Sequence, residues 1–234
     1  MKRKVVIDAE NLIRTYKSGD AEVKVLRGLS LQVQEGEFVS IIGRSGSGKS
    51  TLLYQLSLLD VPTSGRVFVD GVDTSTFSEE ERTRVRLNEM GYIFQDYALV
   101  PELTAEENVV IPLLMQDIET REARRRARVV LEKVGLLHRL KNLPNQLSGG
   151  EQQRVAIARA LGHSPKIIFA DEPTANLDNE TSLVILELFK QLHKEGQTII
   201  MVTHEREYTA ETDRVIKIFD GSIVFEGSPK ELRE

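Results

Sequence analysis

The chain has 234 residues, 40% hydrophobic and 29% charged, with 31 Lys plus Arg against 36 Asp plus Glu for a formal charge of −5. This is a globular composition with room for one large domain; it excludes intrinsic disorder and a tandem of two such domains, and its acidic balance argues against a protein that coats nucleic acid. Cysteine is absent, so disulfides, thiolate zinc sites and cysteine nucleophiles are all removed, and a reducing, cytoplasmic setting is the expectation.

The basic start, Met1 to Lys4, is followed only by Val5, Val6 and Ile7 before Asp8, short of the ~7–15 apolar residues of a signal peptide. Leu29 to Val33 alternates with period two, and Glu35-Gly36 turns it into Phe38-Val39-Ser40-Ile41-Ile42, an unbroken apolar run suited to a central parallel strand. Gly43 to Gly48 is a glycine-rich loop, and Lys49 to Asp60 then carries leucines at helical spacing. Val67 to Val69 predicts a further strand ending at Asp70-Gly71, and Met90 to Gln95 another. Ser78-x-x-Glu81 and Thr104-x-x-Glu107 each fit a capping box. From Thr104 to Leu161 the pattern is chiefly helical. It includes Val109 to Met115, too short for the ~20 residues of a membrane span and interrupted by Pro112. The arginines between Arg121 and Arg128 read as a solvated helix face behind Ala123, Ala127 and Leu131. Ile167 to Ala170, a helix over 179–194 stopped by Gly196, and Thr198 to Val202 restore a strand, helix, strand order. Asp220-Gly221 marks a closing hairpin. The expected fold is α/β: a doubly wound, mainly parallel sheet interrupted by an inserted helical subdomain.

Three segments carry chemistry. Gly43-Arg44-Ser45-Gly46-Ser47-Gly48-Lys49-Ser50 matches G-x-x-x-x-G-K-[ST] between a buried strand and a helix, where backbone amides and the helix N-terminus meet phosphate. Lys49 is expected at the β and γ phosphates and the Ser50 hydroxyl at Mg²⁺. The competing interpretation is a glycine turn of structural purpose only. Asp171 closes a strand of four apolar residues and is a candidate Mg²⁺ ligand, with Glu172 beside it as a candidate general base; alone, the pair also fits a strand that ends in acidic turn residues. Leu147-Ser148-Gly149-Gly150-Glu151-Gln152-Gln153 places two glycines ahead of a helix over 151–161. Its first amides suit an anion, while Ser148-x-x-Glu151 equally fits a capping box.

With that segment the sequence resembles the ATP-binding cassette family over nearly its whole length: P-loop, Gln95, signature, Asp171-Glu172, the turn Ala175 to Asp178, and His204 follow in order. The resemblance implies an ATPase using ATP and Mg²⁺, and a head-to-tail homodimer in which each ATP lies between one P-loop, including Thr51, and the partner's signature. Ser148, Gly149 and Gly150 are then expected at the γ-phosphate of the partner's ATP. Gln95 is expected at Mg²⁺ and the attacking water, His204 at the γ-phosphate, Asp178 across the dimer interface, and Tyr16 against adenine. Tyr16 also fits an edge-strand tyrosine packed on its neighbours. The implied organisation is a P-loop NTPase core on a mainly parallel sheet, with an antiparallel β subdomain and an inserted α-helical subdomain, in a single domain over 1–234: core and β subdomain in 1–95 and 163–234, and the helical signature subdomain in 96–162.

Gly91 to Asp96, Leu103 to Val109 and Pro112 to Leu114 are similar to the branch of that family serving macrolide efflux, lipoprotein release and mechanotransmission. This implies an integral membrane subunit as partner, with no membrane insertion by the chain itself, a place on the cytoplasmic face of the inner or plasma membrane, and no nucleic acid. Tyr97, Leu99, Val100 and Leu103 are expected to line the groove for that subunit, or else to form the core of the helical subdomain. A short import ATPase, as for amino acid uptake, is the alternative function.

Overall fold

The computed structural model describes residues 3–19 and 21–232. They fall into two compact units, Met1–Arg84 with His193–Glu234, and Val85–Leu192.

In the first unit, β1 (Val5–Ser18) and β2 (Ala21–Gln34) form a long antiparallel pair, and β1 takes a second antiparallel partner in β4 (Ser64–Val69). Between them in sequence lie β3 (Phe38–Ile42) and α1 (Lys49–Leu56). The short β5 (Val72–Asp73) pairs with β4 through Asp70-Gly71, both at positive φ, 53° and 82°. That is the backbone a two-residue hairpin with right-handed strand twist demands.

The chain continues through α2 (Glu79–Glu89), β6 (Met90–Ile93), α3 (Ala105–Met115), α4 (Thr120–Lys133), α5 (Gly149–Leu161), β7 (Ile167–Asp171) and α6 (Asn179–Lys194). It returns to the first unit as β8 (Thr198–Val202), α7 (Arg206–Thr209), β9 (Arg214–Phe219) and β10 (Ser222–Gly227).

β3 lies between β8 and β9, parallel to both, and β10 closes antiparallel on β9. Every residue of β3 and β8 is buried, which is why Phe38 to Ile42 reads as an unbroken apolar run. The register Ile41 to Val202 brings the carboxyl ends of β3 and β8 level. Loops at the carboxyl ends of parallel strands are where α/β sheets bind ligands.

In the second unit β6 and β7 pair in parallel. Ala123, Ala127 and Leu131 are fully buried at four-residue spacing on α4, and α5 buries Val155 to Ala158. Each fully buried large aliphatic side chain contributes ~1.5–3 kcal/mol. The predicted capping boxes form at Ser78 with Glu81 and at Thr104 with Glu107. α3 runs through Pro112 unbroken. The segment 96–162 lies inside this unit, which also takes in β6, β7 and most of α6.

Candidate functional site

The phosphate loop is built by close approach. A Cβ on Gly43 would stand 2.4 Å from the Ile218 carbonyl oxygen on neighbouring β9, so only glycine fits. Gly46 and Gly48 hold φ of 76° and 99°, and Gly48 precedes α1 with no side-chain cap on the helix. The amides of α1's first turn are therefore presented by backbone alone, with the positive end of the helix behind them. Arg44, Ser45 and Gly46 are exposed, Thr51 is half-buried, and Lys49 is buried with its ammonium donating to the Arg44 carbonyl at 3.2 Å. The Ser47 hydroxyl oxygen is buried with no hydrogen-bond partner among the described residues. An unsatisfied hydroxyl, a folded-back lysine and an uncapped helix end together fit a phosphate-bearing ligand.

His204 is exposed and follows β8, at the carboxyl-end edge of the sheet from which β3 enters the loop. Tyr16 stands on β1, 38% exposed, with the Arg14 guanidinium 4.5 Å from its ring centroid.

The second unit gathers the other predicted residues. Asp171 ends β7 buried, and Glu172 after it takes a left-handed backbone, φ 45°, an uncommon conformation for a side-chain-bearing residue and one that concentrates at functional sites. The signature helix starts two residues earlier than its hydrophobic pattern indicates: Ser148 is the N-cap, and Gly149 and Gly150 are its first two residues. The capping box is real, with the Ser148 oxygen accepting from the Glu151 amide at 3.3 Å and Glu151 accepting from the Ser148 amide at 2.8 Å. That amide, followed by Arg139, holds the Glu151 carboxyl below its ordinary range. Capping does not exclude anion binding, since a hydroxyl that accepts one bond still has its own proton to donate.

Gly150 is pressed against α6, where a Cβ would meet the Thr181 methyl at 2.2 Å. Asp178 caps α6, accepting from the Thr181 amide at 2.9 Å and the Thr181 hydroxyl at 2.8 Å, and these bonds lower its pKa. Gln95 is exposed; its backbone carbonyl accepts from Asn176 at 2.9 Å. Signature, Gln95 and the turn ending at Asp178 therefore share one neighbourhood. Two contacts in it escaped the motif analysis, which named Asn176 only as part of the turn Ala175 to Asp178. Asn176 anchors Gln95, and Arg159 on α5 donates to the carbonyls of Tyr97, at 2.9 Å, and Ala98. Both act on backbone acceptors, which leave no pattern in a sequence.

A phosphate loop on a parallel sheet, with a capped glycine pair opening a second helix, defines a P-loop nucleotide-hydrolysing cassette. The model of the family described as ABC transporter matches residues 26–175. An uncharacterized ABC transporter ATP-binding protein of Methanocaldococcus jannaschii is 50% identical over 94% of this chain and 98% of its own length. The lipoprotein-releasing system ATP-binding protein LolD of Aquifex aeolicus is 46% identical over 94% and 97%. The macrolide export ATP-binding/permease protein MacB of Brucella melitensis is 44% identical over 97% of this chain, which spans 35% of that longer protein. Among solved structures, the dimeric post-hydrolysis state of the ATP-binding cassette MJ0796 bound to ADP and Pi matches with a TM-score of 0.90 at 41% identity, covering 97% of this chain and 100% of that one. The chain belongs to the ABC transporter family, as an ATP-hydrolysing cassette subunit of the type found in export and lipoprotein-release systems.

Proposed function

We propose that two copies of this chain close head to tail on two ATP molecules and drive a separate membrane subunit in export, lipoprotein release or mechanotransmission. The observation that carries this reading is near full-length similarity to the ATP-binding protein of a lipoprotein-releasing system, together with similarity to the cassette portion of macrolide export proteins. No helix among the described residues is long and apolar enough to cross a membrane. The chain would act through its partner, on the cytoplasmic face.

In this reading the amides of 43–51 and Lys49 bind the phosphates, and Tyr16 stacks on adenine. Ser50 and Asp171 would hold Mg²⁺, with Gln95 alongside, and the metal would supply neutralisation of charge on the phosphate oxygens. Glu172 accepts a proton from the attacking water, and His204 donates a hydrogen bond to the γ-phosphate. Ser148 with Gly149 and Gly150 meets the γ-phosphate bound to the partner copy, with Asp178 beside that interface. Loss of the γ-phosphate removes the group both copies hold, so the dimer opens and motion passes to the membrane subunit.

The test is phosphate release by the purified chain with and without Mg²⁺. Activity should require the metal, and Lys49→Ala should bring it to background; unchanged turnover in that variant would remove the P-loop from the mechanism.

A further inference from the structure

Asp60 sits in the turn after α1, outside every residue assigned above, and four donors converge on its carboxylate. The Arg14 Nη2 and the Val61 amide each reach Oδ1 at 2.8 Å, while the Tyr16 hydroxyl and the Gln55 Nε2 reach Oδ2 at 3.0 and 2.9 Å. Arg14 and Tyr16 belong to β1, and Gln55 is a wholly buried polar residue of α1. One carboxylate, whose two oxygens offer about four acceptor sites, thus ties the antiparallel sheet to the helix whose first residues are Lys49 and Ser50. Arg14 also covers one face of the Tyr16 ring. The ring is held by its hydroxyl and backed by a cation, and the residue remains 38% exposed.

We infer that Asp60 is a positioning residue for nucleotide binding: it fixes the Tyr16 ring relative to α1, so that base and phosphates are met by one prearranged frame. This rests on Tyr16 being the ring that stacks on adenine. A tyrosine on an exposed strand otherwise samples several rotamers and must be ordered on binding. Anchoring the hydroxyl removes that cost beforehand, an effect expected to tighten binding about two- to tenfold. Charge assistance from a carboxylate makes the anchor stronger than a neutral acceptor would.

The experiment measures dissociation constants for ATP and for inorganic triphosphate in Tyr16→Phe, Asp60→Asn, the double variant and Tyr16→Ala, with thermal melting of each. Tyr16→Phe keeps the ring and loses only the hydroxyl. It and Asp60→Asn should each weaken ATP about two- to tenfold, the double variant should be no worse than Asp60→Asn alone, and triphosphate binding should not move. Equal weakening of triphosphate by Asp60→Asn, or additive losses in the double variant, would overturn the inference, because Asp60 would then act through the fold or the phosphate loop. Should Asp60→Asn fail to fold, Tyr16→Phe decides. If Tyr16→Ala weakens ATP while Tyr16→Phe does not, the positioning role fails and stacking stands. If Tyr16→Ala leaves ATP binding unchanged, the stacking assignment itself fails.

Discussion

Glu172 shows how one residue joins local backbone to chemistry. It stands at φ 45° directly after a buried strand of five residues, with Asp171 as that strand's last member. A left-handed turn at a non-glycine residue persists only where the surroundings impose it, and here it turns the chain out of β7 so that two successive carboxylates leave the strand differently, Asp171 buried and Glu172 half-buried. In the proposed mechanism Asp171 holds the metal and Glu172 takes the proton. Glu172→Gln keeps shape and backbone preference and removes only the basic oxygen. It should therefore retain ATP binding while phosphate release falls by about a hundredfold or more, the scale of a lost general base; paired binding and turnover assays check both halves. Full turnover in that variant would move the base elsewhere.

At the scale of elements, the starts of α2, α3 and α5 are set by side-chain caps at Ser78, Thr104 and Ser148, and these were legible in the sequence because capping is a local code. Thr104 and Glu107 open α3 with reciprocal bonds, the Thr104 amide and then its hydroxyl holding the Glu107 carboxyl below its ordinary 4.5. Thr104→Ala should cost about 1 kcal/mol, a fall in Tm of about 2–4 °C for a chain of this size. A depressed carboxylate stabilises fully above its unfolded value and is lost as pH falls through its folded value. The Tm gap between wild type and Glu107→Ala should therefore be open above about pH 5 and shrink as the pH drops through the lowered folded pKa; a gap that widens in acid would contradict the assignment. β3, α6, β8 and the Asp220-Gly221 hairpin were readable for the same reason, each being marked by its own neighbours in sequence. The full length of β1 and β2 was not, because Asn11 at φ 50° and several register shifts break their alternation. α1 stops at Leu56, short of its leucine pattern, because Leu58 turns left-handed. The bonds from Arg14 and Tyr16 to Asp60 and from Arg159 to Tyr97 and Ala98 join residues 44 to 62 positions apart, and no periodicity within one element can report a meeting of two.

For the whole molecule the decisive question is whether the signature acts in trans. A chain with a charge of −5 gives two copies no general attraction, so closure must come from what they share, and salt screens only part of their repulsion. Ser148 offers a way to separate its two duties. Aspartate caps helices as well as serine, so Ser148→Asp should leave α5 and its Tm intact while placing a carboxylate where the γ-phosphate of the partner's ATP would lie. Sedimentation should show Glu172→Gln passing from monomer to dimer when ATP is added without Mg²⁺, and Glu172→Gln with Ser148→Asp remaining a monomer despite unchanged ATP binding. Dimers in both proteins would take Ser148 out of the shared site. A wild-type monomer whose ATPase activity rises in simple proportion to protein concentration would go further and remove the closing motion on which transport depends.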